Sequence, residues 1–154
     1  MTATHFSGPV VSGNLQSGQT GGPNVGFVRL AQTFNIAFDA TLVQSFTANV
    51  PPGARLVSYD IDVLTAFNSA TSATLSAGLT AGGTEYMSGV NVKTATGRIT
   101  PTLTAAQLAA MSGQTVLGVA APIVAPGAVV FTVTSVGQPT AGLATVTLNY
   151  LQLV

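Results

Sequence analysis

The sequence is poor in charged side chains: four Lys or Arg and four Asp or Glu make up 5% of 154 residues and sum to zero net charge. An ordinary soluble domain carries roughly 25% charged residues. Low charge density favours association between protein surfaces. A sparse and balanced set of charges also offers no electrostatic footprint for nucleic acid or for an anionic membrane. We therefore expect a subunit whose surface is largely covered by neighbouring proteins, with no nucleic acid and no membrane among its partners.

Cysteine and tryptophan are absent, and His5 is the single histidine. Without cysteine, disulfide bonds, thiol chemistry and Cys-based metal sites are excluded. One histidine in a glycine-rich stretch cannot complete a zinc site of the usual ligands or a Ser-His-Asp triad within one chain. We expect no cofactor, no metal site and no enzymatic activity. The chain also lacks the roughly 20-residue apolar run of a membrane span and the basic and apolar regions of a secretory signal.

The first 24 residues differ in kind from the rest of the chain, because glycines punctuate them and they show little apolar periodicity. This composition predicts an extended Gly/Ser-rich arm over residues 1–24, followed by a single β-sandwich domain over residues 25–154. A disordered leader would have the same composition, since nothing in this segment could bury a core by itself.

From Val25 onward, apolar and polar side chains alternate with a period of two, which is typical of strands with one buried face. Pro51-Pro52-Gly53 interrupts the alternation as a turn. A shift of the apolar set at Leu151 and Leu153 predicts a bulge or a change of packing partner near the C-terminus. The predicted inward faces are Phe34, Ile36 and Phe38; Phe46, Ala48 and Val50; Val57, Tyr59, Ile61 and Val63; Ala73, Leu75, Ala77 and Leu79; Val129, Phe131 and Val133; and Ala144, Val146, Leu148 and Tyr150.

One short helix is predicted near residues 104–112. Thr104 is placed as its N-cap, and Gln107, three residues later, completes a capping box. Leu103 and Leu108 have the spacing of a hydrophobic staple, and Gly113 can end the helix. A helix of two to three turns is too short to form a layer, so we expect it to close one end of the sandwich.

Many short strands, turns rich in Gly and Pro, and a single helix predict an all-β protein with an antiparallel β-sandwich, in the form of a jelly roll. An immunoglobulin-like sandwich stays open as an alternative, although the usual Trp and Cys are absent. The stretch from Gly78 to Gly89 lacks the Lys of a phosphate-binding loop, and a hairpin turn explains it better.

Asp60 and Asp62 are the best candidate for chemistry, because alternate residues of a strand share a face and lie roughly 6–7 Å apart. Paired carboxylates can hydrolyse glycosides or bind calcium. We favour a simpler interpretation, in which they solvate the surface or pair with Arg55, Arg98 or a neighbouring subunit.

In so neutral a chain, each remaining charge is a candidate inter-subunit contact, because a charged pair fixes the register and orientation of two surfaces. The arm adds two further candidates. The candidate subunit or capsid contacts are His5, Phe6, Arg29, Arg55, Asp60, Asp62 and Arg98.

Four blocks of the sequence resemble small structural proteins of tailed bacteriophages. They are His5-Phe6-Ser7-Gly8-Pro9-Val10-Val11-Ser12, Ala66-Phe67-Asn68-Ser69-Ala70-Thr71-Ser72-Ala73-Thr74-Leu75, Gly82-Gly83-Thr84-Glu85-Tyr86 and Gly97-Arg98-Ile99. Proteins of this kind are similar to capsid decoration or cement proteins, often trimeric jelly rolls on the outer shell.

The resemblance implies a homotrimer that binds the major capsid protein on the exterior of the phage head, after assembly in the host cytoplasm. It carries over no catalytic residue. Two other roles stay open: a receptor-binding or adaptor module of a head fibre, spike or tail tip, and a depolymerase that uses Asp60 and Asp62.

Overall fold

A computed structural model of the chain describes residues 27–51, 54–94, 96–112 and 128–153. The predicted arm, residues 1–24, lies outside the described residues. The described part contains eight strands and one helix: β1 Phe27–Ala37, β2 Val43–Ala48, β3 Arg55–Thr65, β4 Ser72–Gly78, β5 Met87–Asn91, β6 Gly97–Ile99, α1 Ala105–Ser112, β7 Val129–Val136 and β8 Leu143–Leu153.

The strands form two four-stranded sheets with the orders β1-β8-β3-β6 and β2-β7-β4-β5. Every described strand pair is antiparallel. This is the order of an eight-stranded jelly roll, in which two Greek keys wrap one sheet over the other. It differs from the immunoglobulin arrangement, where strands A, B, E and D share a sheet. The prediction of an antiparallel jelly-roll sandwich is confirmed, and β4 and β5 form the hairpin predicted between Gly78 and Gly89.

The core lies between the two sheets and consists mainly of the alternating side chains that the sequence pattern selects. Phe131 of β7 is fully buried and contacts the rings of Phe34 and Tyr59 from the opposite sheet, with ring centroids 5.0 Å and 5.7 Å away. Tilted and edge-to-face arrangements of this kind suit the aromatic quadrupole. The other fully buried large side chains include Ile36, Ile61, Val63, Leu75, Leu148, Val129 and Val146.

Two predicted inward residues are exposed because their strands end before them. Phe38 follows the last residue of β1 and is 41% exposed, and Leu79 follows the last residue of β4 and is 52% exposed. Both patterns continue by one step past the point where the backbone turns away from the sheet. The alternation therefore predicted the faces correctly and the ends of these two strands incorrectly.

Val57 is a third exception, and a bulge explains it. In the β3–β8 pair, Leu56 is opposite Tyr150 and Ser58 is opposite Asn149, so Val57 is an extra residue. Leu56 consequently takes the inward position and is buried, whereas Val57 is exposed. The irregularity predicted near the C-terminus lies in β3, since β8 pairs with β1 in unbroken register as far as Leu153.

The helix begins as its capping box predicts. The Thr104 backbone N–H donates to Gln107 Oε1 over 2.9 Å, and the Gln107 N–H donates to Thr104 Oγ1 over 3.2 Å. Leu103 packs against the core, and Leu108 is 51% exposed. Gly113, predicted to end the helix, lies outside the described residues.

Helix α1 closes one end of the sandwich because its polar groups bind both sheets. The buried Gln107 donates from Nε2 to the Thr84 carbonyl oxygen and to Ser88 Oγ, on the side of β4 and β5. Arg55, the first residue of β3, donates from Nε to the Ser112 carbonyl oxygen over 3.3 Å. A guanidinium at the C-terminal end of a helix also complements the helix dipole.

The hydroxyl of Tyr59 is a polar group without a partner in this core. Tyr59 is 1% exposed, and no hydrogen-bond partner for its hydroxyl lies within the part of the chain that the structure describes. We expect Tyr59→Phe to leave the free energy of unfolding at neutral pH unchanged or to raise it, by about 3 kcal/mol at most. A buried hydroxyl without a partner costs about 1–3 kcal/mol in desolvation, and the substitution removes that cost. Denaturant unfolding would measure the change.

The same substitution tests a pH dependence. Burial raises the pKa of Tyr59 well above its usual value of 10.0. Above about pH 10 the unfolded chain loses this proton while the folded protein keeps it, so the free energy of unfolding falls as the pH rises. Tyr59→Phe should therefore make the loss of stability at alkaline pH smaller. Burial also raises the pKa of Tyr86, so Tyr86 accounts for part of the loss that stays in the variant.

Tyr150→Phe is the matched control, because the Tyr150 hydroxyl accepts a hydrogen bond from Gln32 Nε2 over 3.4 Å. Loss of this hydrogen bond in Tyr150→Phe should lower the free energy of unfolding by about 0.5–1.5 kcal/mol. A loss of that size in Tyr59→Phe instead would show that the Tyr59 hydroxyl is hydrogen-bonded.

Candidate functional site

The candidate charges gather on the outward surface of the β1-β8-β3-β6 sheet, which we call the polar face. Arg29 of β1 and Arg55 of β3 flank Leu151 of β8 in one cross-strand row. Further along the sheet, Asp60 is opposite Thr147, and Asp62 is opposite both Thr145 and Arg98. Strand pairing thus brings five of the seven predicted contact residues to a single surface. His5 and Phe6 lie outside the described residues.

Asp62 and Arg98 form a bidentate ion pair across β3 and β6. Arg98 Nε donates to Asp62 Oδ1 over 2.8 Å, and Arg98 Nη2 donates to Asp62 Oδ2 over 2.9 Å. These bonds hold the pKa of the Asp62 carboxyl below its usual value of 3.8, so the pair stays ionised at neutral pH. The predicted pairing of Asp62 with Arg98 is confirmed, and the two charges cancel each other locally.

Asp60 has a different partner from Asp62. Its Oδ2 accepts a hydrogen bond of 3.0 Å from Asn149 Nδ2, which also donates to Ser58 Oγ over 3.2 Å. Each carboxylate is therefore engaged by its own neighbour. Within residues 27–51, 54–94, 96–112 and 128–153, no three His, Cys, Asp or Glu side chains are grouped as a metal site would require.

Neutral hydrogen bonds cover the rest of the polar face. The hydroxyls of Thr33 and Thr147 lie 3.0 Å apart, and Thr145 Oγ1 donates to Asn35 Oδ1 over 2.9 Å. These residues are cross-strand partners, so each bond ties β1 to β8 on the outside of the sheet. The sequence shows them only as alternate polar residues, because their partners lie more than a hundred residues away.

Exposed apolar side chains lie at both ends of the sandwich, and those at the end opposite α1 lie on its connections. Ten large apolar residues of the described chain are exposed, and five of them lie at or beside the β1–β2, β3–β4 and β7–β8 connections. We call these five residues the apolar end: Phe38, Leu42, Val43, Leu64 and Val136. Apolar groups concentrated on one surface typically mark a contact with another protein.

Hydrogen bonds hold the connections of the apolar end together. Asn68 Nδ2 donates to Thr140 Oγ1 over 2.8 Å, and Asn68 Oδ1 accepts from the backbone N–H groups of Thr140 and Ala141 over 2.7 Å and 2.9 Å. Gln138 Nε2 donates to the Ala40 carbonyl oxygen over 2.9 Å. The apolar end is therefore preorganised, although nothing in the local sequence of the connections predicts that they meet.

Comparisons with known proteins give a distant likeness in structure. No protein-family model matches the chain, and no curated protein matches it. A solved chain described as "Cyanophage Pam1 capsid asymmetric unit" aligns over 98% of this chain and 99% of its own length, with 20% identity and a TM-score of 0.39. A likeness at this level carries no conclusion about function.

No helix among the described residues is long and apolar enough to cross a membrane.

Proposed function

We propose that the chain is a structural protein of a tailed-phage virion. In this proposal it is a decoration or cement protein that binds the outer surface of the head as a homotrimer and stabilises the contacts between capsomers. The major capsid protein is its partner, and no catalysis is involved. The resemblance of the four sequence blocks to phage structural proteins supports a role in the virion. The jelly roll agrees with it, because viral capsid domains use this fold, as do lectins.

The apolar end is the observation that carries an interaction role. It offers apolar area on connections that hydrogen bonds already hold in place, so binding there orders little additional backbone. Helix α1 occupies the opposite end. Its hydrogen bonds, from Gln107 to Thr84 and from Arg55 of β3 to Ser112, hold the fold together. We therefore assign the contact with the head to the apolar end.

A rigid sandwich bound at one end can stabilise a shell without moving parts. Each copy adds buried area across a boundary between capsomers, and several modest contacts in one trimer combine into high avidity. Because the surface carries so few charges, this attachment should depend only weakly on salt.

Binding to phage heads that lack the chain tests the assignment. We expect Leu42→Ser/Leu64→Ser to weaken binding by about tenfold or more, since each substitution removes apolar area from the contact. Sedimentation of purified protein with heads, followed by quantification of the bound fraction, measures this affinity.

The matched control is Leu79→Ser/Leu108→Ser, which changes two leucines of similar exposure at the other end. Leu42 and Leu64 are 50% and 57% exposed, and Leu79 and Leu108 are 52% and 51% exposed. Equal binding by the two double variants would overturn the assignment of the contact to the apolar end.

Copy number in purified particles separates decoration from a module of a fibre, spike or tail tip. A decoration protein should be present in an amount comparable with that of the major capsid protein, as measured by quantitative mass spectrometry. A few copies per particle would reject the decoration role in favour of the second one.

A further inference from the structure

The polar face has an asymmetric distribution of charge along its strands. The row formed by Arg29, Leu151 and Arg55 contains two cations and no acid. Two rows further along, the row of Thr33, Thr147 and Asp60 contains one acid and no cation. The row between them, Ala31, Asn149 and Ser58, is uncharged.

The charges of these two rows are only partly used within the chain. Among the described residues, Arg29 has no hydrogen bond or ion pair, and Arg55 uses Nε on the Ser112 carbonyl while its two terminal nitrogens have no partner. Asp60 accepts one hydrogen bond at Oδ2 from Asn149. Arg98, the nearest other cation on the face, is engaged by Asp62. Within the part of the chain that the structure describes, the charges without an ion pair are therefore cationic in one row and anionic in the other.

These two rows make the polar face complementary to itself. Alternate residues on one face of a strand are about 6.8 Å apart, so the rows of Arg55 and Asp60 lie about 14 Å apart. A two-fold axis that crosses the strands through the uncharged row would place Arg55 of each copy opposite Asp60 of the other. This is an isologous contact, in which one charge pair occurs twice. We propose that the polar face is a two-fold contact between two copies of this chain.

The size of the face predicts a weak contact. Three long strands spaced about 4.8 Å apart and five rows about 6.8 Å apart give a footprint of roughly 400–500 Å², because β6, with three residues, adds only one row. Interfaces that bury less than about 600 Å² on each partner are typical of weak, transient association. The side chains of the middle row are small, which allows close approach, and the Thr33–Thr147 and Asn35–Thr145 bonds satisfy polar groups further along the face. The contact does not use the apolar end, so it is separate from the proposed attachment to the head.

Charge reversal within one chain tests this contact. Asp60→Arg places two cations opposite each other in both halves of the contact, and Arg55→Asp places two acids there. We expect each single variant to raise the dissociation constant of the species that this contact joins, two single chains or two trimers, by at least about tenfold, since like charges in an interface repel. The double variant Arg55→Asp/Asp60→Arg should return it to within about threefold of the original, because each new Asp then faces a new Arg.

Sedimentation velocity over a concentration series, with purified protein and no particles, gives the dissociation constants. Lys93→Asp is the control, because it makes the same change of charge outside the polar face. Arg29→Glu is a second variant: Arg29 lies opposite Thr33 of the other copy, about 10 Å across two strands from Asp60, so the change should weaken the contact by less than Arg55→Asp does, and it removes no hydrogen bond within the described chain. It keeps the test valid if Arg55→Asp disturbs the end of α1, which circular dichroism would reveal.

Three results would overturn the proposal: a mass that does not rise with concentration, an association that neither charge reversal weakens, or a double variant as weak as the single ones. None of these results bears on attachment to the head, which is measured with particles. The two proposals can therefore fail independently.

Discussion

Phe131→Ala should lower the free energy of unfolding by about 3–5 kcal/mol, as large-to-small substitutions of buried aromatic residues do. Phe131 lies on β7, is fully buried and contacts Phe34 and Tyr59 across the core. Those two residues belong to the other sheet, so the substitution leaves a cavity where the two sheets meet. Equilibrium unfolding in guanidinium chloride, monitored by circular dichroism, would measure the loss.

Phe38→Ala is the control for this substitution. Phe38 is an inward residue by the alternation of the sequence, yet it is 41% exposed after the end of β1. We expect its truncation to cost about 1 kcal/mol or less, because much of its ring stays in water in the folded state. Equal losses for the two variants would contradict the burial described for the two rings.

Gly137→Ala should be similarly damaging for a reason of backbone geometry. Gly137 has a φ of +86°, and a Cβ at this position would lie 2.5 Å from Ala70 Cβ and 2.9 Å from Ala70 N. An L-residue in the left-handed region costs about 1–2 kcal/mol, and overpacking adds about 1–3 kcal/mol. We expect a total loss of about 2–5 kcal/mol of unfolding free energy, measured by thermal or denaturant unfolding.

Gly89→Ala separates the two contributions. Gly89 has a φ of +65°, and a Cβ added there would meet nothing within 4 Å, so this substitution should cost only the conformational part. If Gly137→Ala were no worse than Gly89→Ala, the close approach of the β7–β8 and β3–β4 connections would be refuted. Under the proposed attachment through the apolar end, Gly137→Ala should also weaken binding to heads, because these connections carry that end.

Local patterns in the sequence predicted the parts of the fold that depend on neighbouring residues. The capping box of Thr104 and Gln107 needs residues three positions apart, and it forms as expected. The alternation over β8 places Ala144, Val146 and Leu148 inward, and all three are buried. In contrast, β5 and β6 have five and three residues, which is too short for a periodic signal; β5 was implied only by the predicted hairpin turn, and the sequence did not predict β6.

Contacts between distant residues were beyond such patterns. The sequence identified Asp62 as a residue to be paired, but Arg55, Arg98 and a neighbouring subunit all fitted the requirement. The choice of Arg98, 36 residues away, depends on β6 joining the edge of the sheet beside β3. In the same way, the sequence predicted an irregularity at Leu151 and Leu153 of β8, whereas the bulge lies at Val57 of β3. The register between two strands depends on both of them, so the sequence of one strand cannot place a bulge.

The scarcity of charge, the absence of cysteine, the alternating faces and the capped helix are properties of the sequence by itself, and they determined a sparsely charged, disulfide-free all-β protein. The tertiary structure decided which strands are neighbours. That decision gathered Arg29, Arg55, Asp60, Asp62 and Arg98 on one face and brought together the connections that carry five of the ten exposed large apolar residues of the described chain. The physical reason is that hydrogen-bonded strand pairing joins residues far apart in the chain, whereas periodicity and capping act within a few residues.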